Sequence, residues 1–162
     1  MIRVGQGVDV HAFVADRPLV LGGVRIADTG GLAGHSDADA VLHAVTDALL
    51  GAAGAGDIGQ YFPSTDERWR GVDSSVFVRE AKRILDEMNA EIGNVDITII
   101  AEKPRLSPHR DAIIASIADL LDLPRGHVNV KATTTDRLGF TGRGEGLCAM
   151  AIVCVEVLPS VT

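Results

Sequence analysis

Leu147-Cys148-Ala149-Met150-Ala151-Ile152-Val153-Cys154-Val155-Glu156-Val157 is apolar on both of its alternating faces. Successive strand side chains point to opposite sides, so this run needs cover on each. One face meets helices. The other must meet another sheet, for which a neighbouring subunit is one source.

Working back along the chain, Val128 to Ala132 reads as a strand. Ser107-Pro108 opens a helix, since Pro is favoured at the first helical position, with Ile113, Ile114, Ile117, Leu120 and Leu121 as its stripe. Asn94 to Ala101 is a strand. A helix from about Ser74 to Asn89 carries Val76, Phe77, Ala81, Ile84, Leu85 and Met88. Another begins near Ser36, where Ser36-Asp37-Ala38-Asp39 resembles a capping box, and Gly51 to Gly59 breaks it. Leu19 to Leu21 and Val24 to Ile26 flank Gly22-Gly23 as a hairpin. Ile2 to Ala12 is a strand with Ile2, Val4, Val8 and Val10 on one face and Arg3, Gly5, Gly7, Asp9 and His11 on the other. Strands first, then strands and helices mixed, predict an α+β fold with one mixed β-sheet and helices packed on one face.

The chain has 162 residues and is 46% hydrophobic, which suits a single domain over 1–162. No run of apolar residues is long enough to span a membrane, and Met1 to Val10 alternates instead of forming an export signal, so a cytoplasmic location is expected. A net charge of −7 without a basic run argues against nucleic acid. Any phosphate site must then be local. Cys148 and Cys154 are six residues apart in one strand, about 20 Å, too far for a disulfide. They are expected to be buried thiols in a reducing compartment and are not read as metal ligands.

Asp9-Val10-His11 places a carboxylate and an imidazole on the same side of a strand, about 7 Å apart at Cα, where both can reach one ion. Alone, such a tripeptide is an ordinary surface feature. Asp39, His43 and Asp47 share a helix face at i, i+4, i+8. That stripe is either a solvated face or the source of a third ligand, His43, with a carboxylate such as Asp47 orienting its imidazole. Two His and one carboxylate with a vacant position form a catalytic zinc set. His35 stands just before the expected helix N-terminus, where free N–H groups suit a phosphate. It is otherwise a loop histidine.

Read together, Asp9-Val10-His11, His35-Ser36-Asp37-Ala38-Asp39, His43, Asp57-Ile58-Gly59 and Phe62-Pro63 resemble the 2-C-methyl-D-erythritol 2,4-cyclodiphosphate synthase family in order and spacing. So do Asn129 to Asp136 and Leu138 to Gly146. The resemblance implies a lyase of the non-mevalonate isoprenoid pathway. Such an enzyme cyclises 4-diphosphocytidyl-2-C-methyl-D-erythritol 2-phosphate and releases CMP.

By that resemblance Asp9, His11 and His43 hold zinc, which polarises the β-phosphoryl group for attack by the substrate's own 2-phosphate. His35 and Thr134 match the transition-state stabilisers. A second divalent ion, magnesium or manganese, is ligated in the family by a Glu. Here Asp136 takes that place, directly or through a water. Asp9, His11, His35 and Ser36 would also contact substrate. Asp57, Ile58 and Gly59, followed by Phe62, Pro63, Ser64, Thr65 and Asp66, would meet its methylerythritol phosphate end; Ser64 departs from the family's Asp. Ala101, Lys103, Pro104 and Leu106 match the cytosine pocket. Thr133, Thr134, Thr135 and Asp136 form the late signature. Phe140, Arg143 and Glu145 match a cavity on the axis of a homotrimer, where Arg143 would hold an isoprenoid diphosphate. The trimer packs neighbouring sheets together and places active sites between subunits.

Two other readings use the same residues. One is a zinc phosphodiesterase that activates water; the other is a binding or scaffold protein without turnover. Some relatives carry a fused cytidylyltransferase, for which 162 residues leave no room.

Overall fold

Gly146–Val157, the doubly apolar run, is the middle strand of a five-stranded sheet. The computed structural model describes residues 1–159. In chain order the sheet uses β1 (Ile2–Val14), β4 (Gly31–Leu32), β5 (Ala90–Ile100), β6 (Val128–Thr133) and β7 (Gly146–Val157), arranged β4-β1-β7-β5-β6. β2 (Leu19–Leu21) and β3 (Val24–Ala27) form a separate hairpin. β7 is antiparallel to both β1 and β5. β5 and β6 are parallel, so the chain must cross over between them, and α4 (Arg110–Leu121) makes that crossing. The sheet is therefore mixed, in an α+β fold, as expected.

Helices α1 (Ala40–Ala53), α3 (Ser75–Glu87) and α4 cover one face. Val95, Ile97 and Ile99 of β5 and Ala149, Ala151 and Val153 of β7 point into that layer and are fully buried. They meet Val41, Val45 and Leu49 of α1 and Ile113 and Ile117 of α4 in one apolar cluster. The short helices α2 (Ile58–Tyr61) and α5 (Gly139–Gly142) lie in loops.

In β1 the glycine face is the one that packs on α1. Gly5 and Gly7 are buried, while Val4, Val8 and Val10 are 64%, 49% and 49% exposed. The register pairs Val4 with Cys154, Val8 with Met150 and Val10 with Cys148. With Ile152, these residues make an uncovered apolar sheet surface. Both cysteines lie on that face; Cys148 is buried and Cys154 half-buried. No helix among the described residues is long and apolar enough to cross a membrane.

Several boundaries differ from the expectation. α1 starts at Ala40 instead of near Ser36, because Ala38 takes a left-handed φ of 59° that interrupts helix. Asp39, not Ser36, is the N-cap, and its carboxylate accepts from the N–H groups of Val41 and Leu42. The helix runs past Gly51 to Ala53 and stops at Gly54, whose φ of 72° suits a glycine cap. Ser107–His109 is a 3-10 turn leading into α4. β5 begins at Ala90 rather than Asn94, with an irregularity between Ile92 and Asn94. Val76, expected in the α3 stripe, is 38% exposed.

Candidate metal centre

Asp9 and His11 alternate with the exposed valines, so they point from β1 toward α1. The small residues beneath them let that helix come close. His43, in the first turns of α1, faces both. Asp9 Oδ2 lies 2.8 Å from His11 Nε2 and 3.0 Å from His43 Nδ1, and the two nitrogens are 3.3 Å apart. Donors held about 2.0–2.2 Å from one tetrahedral ion stand about 3.3–3.5 Å apart. Small outward movements would seat an ion among these three groups. A carboxylate and two imidazoles fit a divalent metal, with room for a further ligand.

Asp9 and His11 shift each other's titration within this cluster. Burial by itself would push the Asp9 carboxyl up. The hydrogen bonds and charge of His11 and His43 outweigh it and hold Asp9 well below the usual carboxylate range. Burial likewise lowers His11, but Asp9 and the Ala33 carbonyl prevail and raise it. His11 Nδ1 donates to the Ala33 carbonyl, which leaves Nε2 for the centre. Gly34 helps to place this ring, since a Cβ there would meet Ala38 Cβ at 2.7 Å and His11 Cε1 at 3.2 Å.

Asp47 does not orient His43, contrary to expectation. Its carboxylate accepts the Ile58 N–H at 2.7 Å, tying α1 to α2, and burial raises it. His43 Nε2 instead meets Ser74 Oγ at 2.9 Å and Ser36 Oγ at 3.1 Å. Ser74 was invisible in the sequence, because nothing in its spacing links it to His43. Asp39 is also no member of a solvated stripe. It is fully buried, and its two oxygens accept from Gly22, Gly23, Val41 and Leu42. It thereby clamps the β2–β3 hairpin to α1. The helix N-terminus expected to seat phosphate is occupied by this carboxylate.

His35 and Ser36 lie in the loop beside the centre. His35 Nε2 donates to the Asp66 carbonyl at 3.1 Å, bringing the segment after α2 alongside. There Asp57 caps α2 by accepting from Gln60 N–H, and Asp66 binds Arg68. Phe62 stacks near Phe77 at 4.4 Å between centroids, and Phe77 lies 5.8 Å from the His43 ring. Ile58 and Gly59 belong to α2, and Pro63, Ser64 and Thr65 follow it as exposed residues.

A second cluster forms where the parallel strands β5 and β6 end. The Ala101 N–H donates to the Thr133 carbonyl at 3.1 Å, and the Arg137 N–H donates to Glu102 at 3.1 Å. Thr134 Oγ1 donates to Asp136 Oδ1 at 3.3 Å, and Thr135 Oγ1 donates to the Leu138 carbonyl. Lys103 and Pro104 border a cavity of about 820 Å³ that Phe13, Arg137 and Arg143 also line. Arg143 is paired with Glu145 at 2.7 Å, and Phe140 is 39% exposed. Leu106 is buried in the core beneath. Among the described residues, no hydrogen bond joins this cluster to Asp9, His11 or His43.

The model of the YgbB family matches residues 2–156. A 2-C-methyl-D-erythritol 2,4-cyclodiphosphate synthase of Cupriavidus pinatubonensis is 58% identical over 154 residues, covering 95% of this chain and 91% of the relative. A solved bifunctional IspDF of Campylobacter jejuni superposes with a TM-score of 0.94 at 43% identity; the match covers 98% of this chain but only 43% of that one. IspF of Plasmodium falciparum, in a CDP complex, superposes with a TM-score of 0.86 at 34% identity, over 98% of this chain and 97% of the other.

Proposed function

The chain belongs to the YgbB family, and from that membership and the centre's geometry we propose that it is a 2-C-methyl-D-erythritol 2,4-cyclodiphosphate synthase. Its reaction cyclises 4-diphosphocytidyl-2-C-methyl-D-erythritol 2-phosphate and releases CMP, within the non-mevalonate isoprenoid pathway. A 2-phosphate oxygen bonds to the β-phosphorus as the bond from that phosphorus to the CMP oxygen breaks. The observation that carries the reading is the convergence of Asp9, His11 and His43.

Asp9, His11 and His43 hold zinc, and Asp136 holds the second divalent ion, magnesium or manganese, directly or through water. When bound, these ions supply positive charge that draws electron density from phosphoryl oxygens. Asp9 is a ready ligand because its neighbours keep the carboxyl ionised. His35 and Ser36 line the phosphate path, and Thr134 offers a hydroxyl proton to developing charge. No side chain has to act as a nucleophile, since the attacking oxygen belongs to the substrate. Catalysis is positioning and charge stabilisation. Asp57, Ile58, Gly59 and the Phe62–Asp66 wall hold the methylerythritol phosphate end. Backbone groups of Ala101, Lys103, Pro104 and Leu106 read the cytosine edge. The CDP bound by the Plasmodium relative accords with that assignment.

Residues 1–162 act as one domain in the cytoplasm, assembled as a homotrimer. Two observations favour assembly. The sheet leaves Val4, Val8, Val10 and Ile152 uncovered, and no hydrogen bond joins the two clusters among the described residues. A cytosine pocket from one subunit then faces the metal centre of the next. Phe140, Arg143 and Glu145 gather on the trimer axis, where Arg143 takes an isoprenoid diphosphate by charge-assisted hydrogen bonds.

Incubating the purified protein with the cytidine diphosphate substrate, zinc and magnesium tests the activity. Phosphorus NMR should show a cyclic diphosphate and CMP in equal amounts. Linear phosphates would mean hydrolysis and would overturn the reading.

A further inference from the structure

We propose that Ser74 and Asp37 are positioning residues that decide which imidazole nitrogen of His43 faces the metal. The proposal rests on the metal reading given above and extends it to residues outside the centre.

The argument is a count of protons. Asp37 Oδ2 accepts the Ser74 N–H at 3.0 Å, while Oδ1 accepts the Asp39 N–H at 3.1 Å and the Ser74 hydroxyl. A carboxylate only accepts, so the single Ser74 hydroxyl proton is committed to Asp37. Ser74 Oγ then has only lone pairs to offer His43 Nε2, 2.9 Å away. Nε2 must carry a hydrogen. With its proton held on Nε2, a neutral His43 would offer a bound metal the lone pair of Nδ1, the nitrogen that lies 3.0 Å from Asp9 Oδ2 and 3.3 Å from His11 Nε2.

His11 needs the opposite tautomer, and the Ala33 carbonyl imposes it by taking the proton of Nδ1. The two imidazoles thus present different nitrogens, each selected by its own outer partner. Such partners orient a ligand and raise its basicity.

The relay is built into the fold. Ser74 is fully buried and stands immediately before α3. Its loop is pinned to the loop before α1 by the Asp37 N–H on the Val72 carbonyl at 3.0 Å and the Gly71 N–H on the His35 carbonyl at 2.8 Å. Ser36 Oγ, 3.1 Å from the same His43 nitrogen, accepts the Ala38 N–H and keeps a second lone pair for Nε2–H.

The test compares wild type with Ser74→Ala, Asp37→Asn and His43→Ala, using zinc alone in competition with a chelator, together with nitrogen-15 NMR of the zinc-loaded wild type. Ser74→Ala keeps the residue's backbone bond to Asp37 and removes only the hydroxyl. Zinc should bind about tenfold to a hundredfold more weakly to Ser74→Ala and Asp37→Asn. In the zinc-loaded wild type, His43 should carry its proton on Nε2 and bind through Nδ1. A purely structural role would lower the melting temperature of the metal-free variants without weakening zinc. Zinc affinity of Ser74→Ala within about twofold of wild type, or a His43 protonated on Nδ1, would overturn the relay while leaving the metal reading standing. Equal zinc binding by wild type and His43→Ala would sink the metal reading and the relay with it.

Discussion

Gly7 of β1 lies so close to Ala44 of α1 that a Cβ on the glycine would stand 1.9 Å from the Ala44 carbonyl oxygen. Gly5 meets Ala48 in the same way, at 1.8 Å. These two glycines set the distance between strand and helix, and hence the distance from Asp9 and His11 to His43. Gly7→Ala should force the helix outward. Overpacking of this kind costs about 1–3 kcal/mol, and more where backbone must move. Urea denaturation should show that loss, and zinc affinity should fall even in the molecules that remain folded.

Removal of one donor should empty the centre. His43→Ala leaves two ligands, so zinc content per chain should drop below a tenth of wild type, or about 0.1, and turnover should vanish. Thr134→Ala should keep zinc and lose about a hundredfold or more in kcat, the usual effect of removing one hydrogen-bond donor to developing charge. Elemental analysis beside steady-state kinetics separates the two. Full activity in His43→Ala would mean that the ligand set is wrong.

Asp39 should matter to stability without touching the chemistry. Asp39→Ala removes an N-cap and strips the Gly22 and Gly23 N–H groups of their acceptor. Together these changes should cost about 2–4 kcal/mol in chemical denaturation. Burial pushes this carboxyl up to about 6, against the backbone N–H groups that pull it down. A group raised on folding stabilises the fold fully below its unfolded pKa, about 4, and that contribution fades as pH rises to the folded value. The stability advantage of wild type over Asp39→Asn should therefore shrink by a few kcal/mol between about pH 4 and pH 6.5, then stay level. An advantage that grows over this range would contradict the assignment.

The uncovered sheet face should drive assembly. Val8 and Ile152 are 49% and 45% exposed on one chain, so Val8→Asp or Ile152→Asp should leave the fold intact. Either should shift sedimentation from a trimer toward monomers, because a charge would have to be buried at the contact. Trimers of unchanged stability would remove the sheet face as the assembly surface.

Local periodicity was enough to place the strands and helices, since alternation and helical spacing are properties of neighbouring residues. It offered Asp9 and His11, as i, i+2 on a strand, and His43 on a helix face as possible ligands, but left both as ordinary surface features until the family resemblance joined them. Boundaries around Ser36 escaped it: Ala38 turns left-handed, and the clamping role of Asp39 depends on a hairpin seventeen residues away. Asp47 looked like the partner of His43 because both share a helix face, yet its oxygen turns to Ile58. Ser74 gave no signal at all, being thirty-one residues distant from the ring it touches.

Side-chain type and short-range spacing, read in one dimension, determined the mixed α+β architecture and the identity of the metal-binding candidates. Which nitrogen each imidazole presents, which carboxylate is a clamp and which a ligand, and which face of β1 meets the helix were decided only by the folded chain. Hydrogen-bond partners and close contacts are set by three-dimensional proximity, and distance along the chain does not encode it.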